Sequence, residues 1–313
     1  MCLPIKDAAV FKRLSMGTMD ERVISSDDGW AAMTDTREGS PGGQQELAAL
    51  YSRVAPIYAE QGPPFFEHAG RRLVELAQVR PGDVVLDVAT GRGAVLIPAA
   101  RRAGPAGQVV GIDIAPGMVD HTRRSIQDRG LTHASVALMD AAHLGVQSEA
   151  FTHALSSFAV FFFPDVGGVL CELRRVLRPG GVVGFAFSRG TDPRWVWYED
   201  LLRNHGALDG LPPAAGEPSI RHPGVLQAKL EEAGFAGVEE REEAAELWYA
   251  TAEDWWASLW THGSRRPLER LRPDVVARLQ AEALERARGL VGPRGLPQRM
   301  TFVYVLGRRR ACA

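Results

Sequence analysis

The ten residues from Val84 to Gly93, VVLDVATGRG, constrain the fold of this chain more than any other stretch. A short unbroken apolar run ends in a carboxylate, glycines follow at 91 and 93, and an alanine-rich helical stretch begins. A strand apolar on both faces belongs inside a sheet covered on both sides. A glycine-bearing turn leading straight into a helix lets a ligand approach the backbone and offers it free N–H groups. The pattern then repeats. Strands are expected at 84–88, 109–113, 136–138, 151–158 and 182–187, alternating with helices at 94–103, 118–129 and 169–177. Pro98 fits its helix only if that helix starts late enough to place the proline in the first turn. This rhythm predicts an α/β fold: a mostly parallel, Rossmann-like sheet with right-handed crossovers and helices on both faces.

Beyond that core the chain divides by composition. Residues 1–43 have weak periodicity and end in Gly39-Ser40-Pro41-Gly42-Gly43, which reads as a flexible extension. Residues 44–80 hold two amphipathic helices, residues 81–188 the strand–helix core, and residues 189–299 a Pro-, Gly- and Trp-rich region of helical insertions. Residues 300–313 hold a last strand and the basic run Arg308–Arg309–Arg310, expected to be a solvated tail. With 313 residues, 45% apolar, the chain can bury a sizeable core without staples. A formal net charge of −2 disfavours a nucleic-acid partner. No apolar run reaches the ~18 residues a membrane helix needs. Cys2, Cys171 and Cys312 are isolated, so neither a disulfide framework nor a metal site is expected. The N-terminus lacks a signal-peptide layout, and a cytoplasmic setting is the expectation. Helices of the insertion region could pair subunits.

Two acidic residues give the expected site its chemistry. Asp87 would set a carboxylate beside the glycine loop, repelling a pyrophosphate and attracting an ammonium group. Asp113, ending the next strand, can accept both hydroxyls of a ribose. Each also has a plainer reading as the cap of the helix that follows it. Read as ligands, they suit a nucleoside with a cationic amino-acid portion and no phosphates, which describes S-adenosyl-L-methionine.

From Glu46 to Ser188 the sequence resembles the class I S-adenosylmethionine-dependent methyltransferases. It is most similar to the group of ubiquinone/menaquinone C-methyltransferases and small natural-product methyltransferases. The resemblance implies a seven-stranded sheet whose last strand is reversed, with helical cap insertions. It assigns Asp87, Ala89, Gly91 and Gly93 to the first motif. Ala89 stands where a glycine is usual, and Arg92 where a small polar residue is common. It further implies that Asp113 binds ribose, that Ile114 and Met118 sandwich adenine, and that Asp140 and Ala141 read its amino group. Ser157 and Phe158 match the segment beside the methionyl chain, and Tyr51 and Tyr58 a helix that closes over the sulfonium. Tyr51 and Tyr58, seven apart, share a helix face by simple packing as well.

The implied activity is in-line methyl transfer to a lipophilic small molecule of secondary metabolism. Such transfer needs alignment and water exclusion rather than an oxyanion hole. A base is required only if the acceptor holds its proton tightly. His262 and His222 are the candidates, ahead of Tyr198 and Glu199. The tryptophans of the insertion region are either helix packing or an aromatic wall for the acceptor. Three other readings stay open: a nucleoside-binding protein that shapes a cyclisation without transferring a methyl, a macromolecular methyltransferase, and an NAD-dependent dehydrogenase. The last is weakened because no G-x-G-x-x-G fits: position 89 is alanine, and a frame starting at Gly91 ends on Leu96.

Overall fold

The structure is a computed structural model that describes residues 41–190, 192–209 and 218–311. The extension expected at 1–43 therefore lies mostly outside the described residues, as do Cys2 and Cys312. Its last three residues do not form a linker: the first described helix, α1, spans Pro41–Val54. Proline is compatible with a helix's first turn, where its missing N–H would have no partner. The chain leaves the helix before Pro56, as the proline requires. Helix α2, Phe65–Leu76, follows.

The core then runs β1 (Val84–Val88), α3 (Leu96–Ala103), β2 (Gln108–Asp113), α4 (Pro116–Asp128), β3 (Ala134–Leu138), β4 (Phe151–Ser157), α5 (Val166–Val176) and β5 (Leu177–Arg189). Helix α3 starts late, so Pro98 falls in its first turn. The insertion region supplies α6 (Val196–Asn204) and α7 (Val225–Glu232), then β6 (Phe235–Tyr249). It continues with α8 (Ala252–Ser258), α9 (Arg265–Glu269) and α10 (Pro273–Arg288), and β7 (Leu296–Arg309) returns to the sheet.

The seven strands lie in the order β3-β2-β1-β4-β5-β7-β6. Strands β1 to β5 are parallel, whereas β7 runs antiparallel to both β5 and β6. The reversed last strand is longer than expected and takes in Arg308 and Arg309. Arg309 is not a solvated tail: its guanidinium pairs with Glu149 at 2.7 Å and donates to the Leu177 carbonyl. Residues 177–181 (LRPGG) open β5 rather than preceding it. Order reverses between β1 and β4, so the loops after those strands diverge and leave a crevice at their carboxyl ends, where ligands of open α/β sheets bind.

Two apolar layers cover the sheet. One is built on Phe151, Phe185, Phe187, Leu170 and Leu173, the other on Leu73, Leu96, Ala99, Phe302 and Tyr304. Helix α2 lies so close to the glycine loop that a Cβ on Gly70 would stand 2.2 Å from the Ala94 carbonyl oxygen. Backbone occupies that space, so relief requires moving the loop itself. Gly70→Ala should destabilise the protein by about 1–3 kcal/mol and weaken cofactor binding, read by chemical denaturation and cofactor titration. An unchanged midpoint would refute the close approach.

Candidate active site

A cleft opens at the switch point, at the carboxyl ends of the parallel strands. Its walls come from α1, the loops after β1, β2, β3 and β4, and the first turn of α4. Tyr51, Tyr58, Ala89, Gly91, Asp113, Ile114, Met118, Asp140, Ala141, Ser157 and Phe158 all line it. Gly93 lies just beyond, on the outer side of the same loop.

Asp113 is the hinge of the arrangement. Its Oδ2 accepts from the Gly91 N–H and its Oδ1 from the Ala115 N–H, both at 2.9 Å. One carboxylate thus joins the β1 loop to the start of α4. Burial pushes its pKa above the ordinary carboxylate value, while the backbone donors pull it back. Gly91 also offers its carbonyl to the Thr122 hydroxyl at 2.5 Å, which fixes the loop from the other side. Ala89 adopts φ +55 and Phe158 φ +58. Left-handed backbone at non-glycine residues costs of order 1–3 kcal/mol. Here it occurs after β1 and after β4, on the two lips of the crevice. Ala89 thus takes the conformation for which a glycine would be the usual choice, and the loop stays open.

Asp87 departs from expectation. It is 1% exposed and is not part of the cleft wall. Its Oδ2 accepts from the Thr90 hydroxyl at 2.6 Å and from the Leu96 N–H at 2.9 Å. The side chain braces the glycine loop and the start of α3 from behind, which is the plainer reading of this residue. Burial raises its pKa to about 7, against the two hydrogen bonds.

His262 is displaced too. Its ring meets Phe65 and Phe66 edge-on, with centroids at 6.0 and 6.2 Å, and Phe66 in turn packs on Tyr58 and Phe158. The histidine is thus one layer behind the cleft wall, and burial depresses its pKa to about 4. The other candidate bases do not line the cleft either. His222 is exposed, Glu199 pairs with Arg203, and Tyr198 packs on Trp255 at 5.1 Å. Trp195, Trp197, Trp255, Trp256 and Trp260 pack in a separate cluster, and among the described residues no tryptophan lines the cleft.

The cleft contains residues that sequence reading passed over. Gln44, Leu47 and Ala48 line it from α1 one or two turns before Tyr51, and i, i+4, i+7 spacing from that tyrosine was the available signal. Arg92 donates to the Tyr58 carbonyl at 2.8 Å and pairs with Glu60 at 3.1 Å. It ties the cofactor loop to the segment after α1, and no local pattern announces that.

Comparison with known proteins agrees with this geometry. A family described as a methyltransferase domain matches residues 85–181. Nocamycin O-methyltransferase of Saccharothrix syringae is 37% identical over 275 residues, covering 83% of this chain and 98% of that one. Aklanonic acid methyltransferase of a Streptomyces strain is 37% identical over 153 residues, 48% of this chain and 70% of that one. Among solved structures, the YcgJ protein of Bacillus subtilis superposes with TM-score 0.53 at 17% identity, over 78% of this chain and 99% of that chain. The [4+2]-cyclase SpnF does so with TM-score 0.53 at 18% identity, over 88% and 98%; at such identities both speak to fold alone. The chain belongs to the class I S-adenosylmethionine-dependent methyltransferases, in the group that includes natural-product and quinone enzymes. It is an enzyme, and its cofactor is S-adenosyl-L-methionine.

The residues present fit that cofactor. The Ser157 hydroxyl is buried without a protein partner and lies in the cleft wall, where an unsatisfied polar atom is costly unless a ligand meets it. Among the described residues the walls hold two carboxylates, Asp113 and Asp140, and no lysine, arginine or histidine.

Two predictions concern the carboxylates. Asp113→Ala should weaken S-adenosylmethionine binding at least about tenfold, since it removes the tie between Gly91 and Ala115 in the cleft wall (~1.5–3 kcal/mol); an unaltered calorimetric affinity would show that binding does not depend on that tie. Asp87, whose pKa rises from 3.8 to about 7 on folding, binds its proton more tightly in the folded than in the unfolded chain. Its contribution is therefore complete below pH 4 and is lost as pH rises toward 7. Asp87→Asn keeps an oxygen for Thr90 and Leu96 and should flatten that fall, seen in denaturation midpoints measured from pH 4 to 8.

Proposed function

We propose that this enzyme transfers the methyl group of S-adenosylmethionine to an apolar small molecule of secondary metabolism. Residues 44–80 act as a lid over the cofactor, and 189–299 shape the acceptor side. The observation that carries this reading is the joint lining of one cleft by Asp113, Ser157 and the aromatic rings of Tyr51, Tyr58, Phe158 and Phe162. Support also comes from relatives whose names specify O-methylation of nocamycin and methylation of aklanonic acid.

When bound, the cofactor supplies an electrophilic methyl on a positively charged sulfur. Asp113 holds the ribose, Ile114 and Met118 flank the adenine, Asp140 and Ala141 meet its edge, and Ser157 satisfies the amino-acid end. Tyr51 meets Tyr58 and Phe162 edge-on, with centroids at 6.0 and 5.8 Å. Such ring faces steady a cation by roughly 0.5–2 kcal/mol and exclude water from the path of transfer. Burial raises the pKa of both tyrosines well above the ordinary phenol value. Their hydroxyls are therefore proton donors at neutral pH, not bases. Alignment supplies the acceleration, since holding two reactants together offsets much of the entropic barrier.

Methyl-labelled S-adenosylmethionine incubated with the purified enzyme and an extract of the producing cell should yield label in a low-molecular-mass, solvent-extractable product. Label recovered only in protein or RNA, or none transferred by an enzyme that binds the cofactor, would overturn the proposal.

A further inference from the structure

Tyr51 is the ring of the cleft wall on which α1 and the insertion region converge. It lines the cleft from α1 and meets Tyr58 and Phe162 edge-on, with centroids at 6.0 and 5.8 Å. Its hydroxyl abuts Gly263, in the turn between α8 and α9. A Cβ built on that glycine would stand 3.0 Å from the Tyr51 Oη and 3.9 Å from its Cζ. Among the described residues, chain neighbours apart, nothing else comes within 4 Å of that position. Gly263 is not one of the glycines with left-handed backbone, so an alanine there would carry no backbone strain. What the glycine supplies is room for one hydroxyl.

The turn is held so that it cannot retreat. The Thr261 carbonyl accepts from the Ala59 N–H at 3.2 Å, and the buried Thr261 hydroxyl donates to the Ser258 carbonyl at 2.8 Å. The His262 ring is wedged against Phe65 and Phe66. Arg266 donates its N–H to the Gly263 carbonyl at 3.2 Å. Gly263 itself is not part of the cleft wall; it stands behind the tyrosine. Two rings beside Tyr51 and fixed backbone behind it leave the ring one depth in the cleft. A Cβ at 263 would make the tyrosine give by a few tenths of an ångström. The attraction between a ring face and a cation depends on how the two are placed, so such a shift is felt by a charged ligand more than by a neutral one.

We propose that Gly263 is a positioning residue for methyl transfer: its missing side chain seats the Tyr51 hydroxyl against the turn and so sets where the ring meets the sulfonium. This rests on the methyl-transfer reading above. The region that shapes the acceptor side thereby reaches the cofactor through a single ring.

The test compares calorimetric affinities for S-adenosylmethionine, which carries the sulfonium, and for S-adenosylhomocysteine, which has a neutral thioether in its place. A general loosening of the cleft weakens both, whereas a misplaced ring changes their ratio. Gly263→Ala should lower the ratio of S-adenosylmethionine to S-adenosylhomocysteine affinity by about two- to fivefold. In the Tyr51→Phe background only the ordinary 3.9 Å contact with the ring remains, and there the same substitution should leave the ratio unchanged. An unaltered ratio in Gly263→Ala, or a shift that persists in the Tyr51→Phe background, would each overturn the assignment. Should Gly263→Ala fail to fold, the double variant decides: recovery of a folded, cofactor-binding protein supports the contact with Tyr51, and failure there too overturns it. A wild type that binds neither ligand would instead defeat the methyltransferase reading.

Discussion

The site depends on a single buried carboxylate with two backbone partners. Asp113 receives the Gly91 N–H on one oxygen and the Ala115 N–H on the other. Those amides belong to different crossovers, one from β1 and one from β2. Their separation is therefore set by the width of a carboxylate rather than by loop entropy. The other constraints converge on it. Thr122 holds the Gly91 carbonyl, Ser52 accepts from the Gly117 N–H at 3.2 Å, and Met118 is sealed beneath α1. Loop order and the shape of the cleft are in this sense one property, since a carboxylate of the cleft wall also ties its two loops together.

Strain is distributed to match. The two non-glycine residues of the cleft wall with left-handed backbone, Ala89 and Phe158, stand on opposite lips. Each is held by a sheet contact: Phe158 donates its N–H to the Ala186 carbonyl at 2.7 Å, and Thr90, next to Ala89, donates to that of Ile112 at 2.9 Å. The rigid centre of the sheet thus sustains conformations that the loops alone would abandon. Behind them Asp87 accepts from Thr90 and Leu96 and keeps α3 from pulling away from the loop.

The core was legible because its elements are locally determined. Continuous apolar runs such as 84–88 and 109–113 gave strands within a residue of their observed ends, and Pro98 correctly fixed the late start of α3. What could not be read was direction. Asp87 sits at the strand end where a ligand contact is expected, yet whether its carboxylate turns outward or back to Leu96 is decided by three-dimensional packing. His262 has the chemistry of a base, but nothing local reveals that two phenylalanines 196 or so positions earlier stand between it and the cleft. The tryptophans likewise signal burial without saying in which cluster. Arg92 stood out only as a departure from the usual small polar residue, because arginine is common on surfaces and only its partners, Tyr58 and Glu60, distinguish it.

Helix α1 touches the rest of the protein through a narrow seam. Leu50, Val54 and Ala55 meet Ala115 and Met118, with Tyr51 and Tyr58 at the margin. The same helix roofs the cleft. Parting this small apolar contact would uncover Ala115 and Met118 and open the roof of the cleft while every strand stays paired, so access to the site is decoupled from the stability of the sheet.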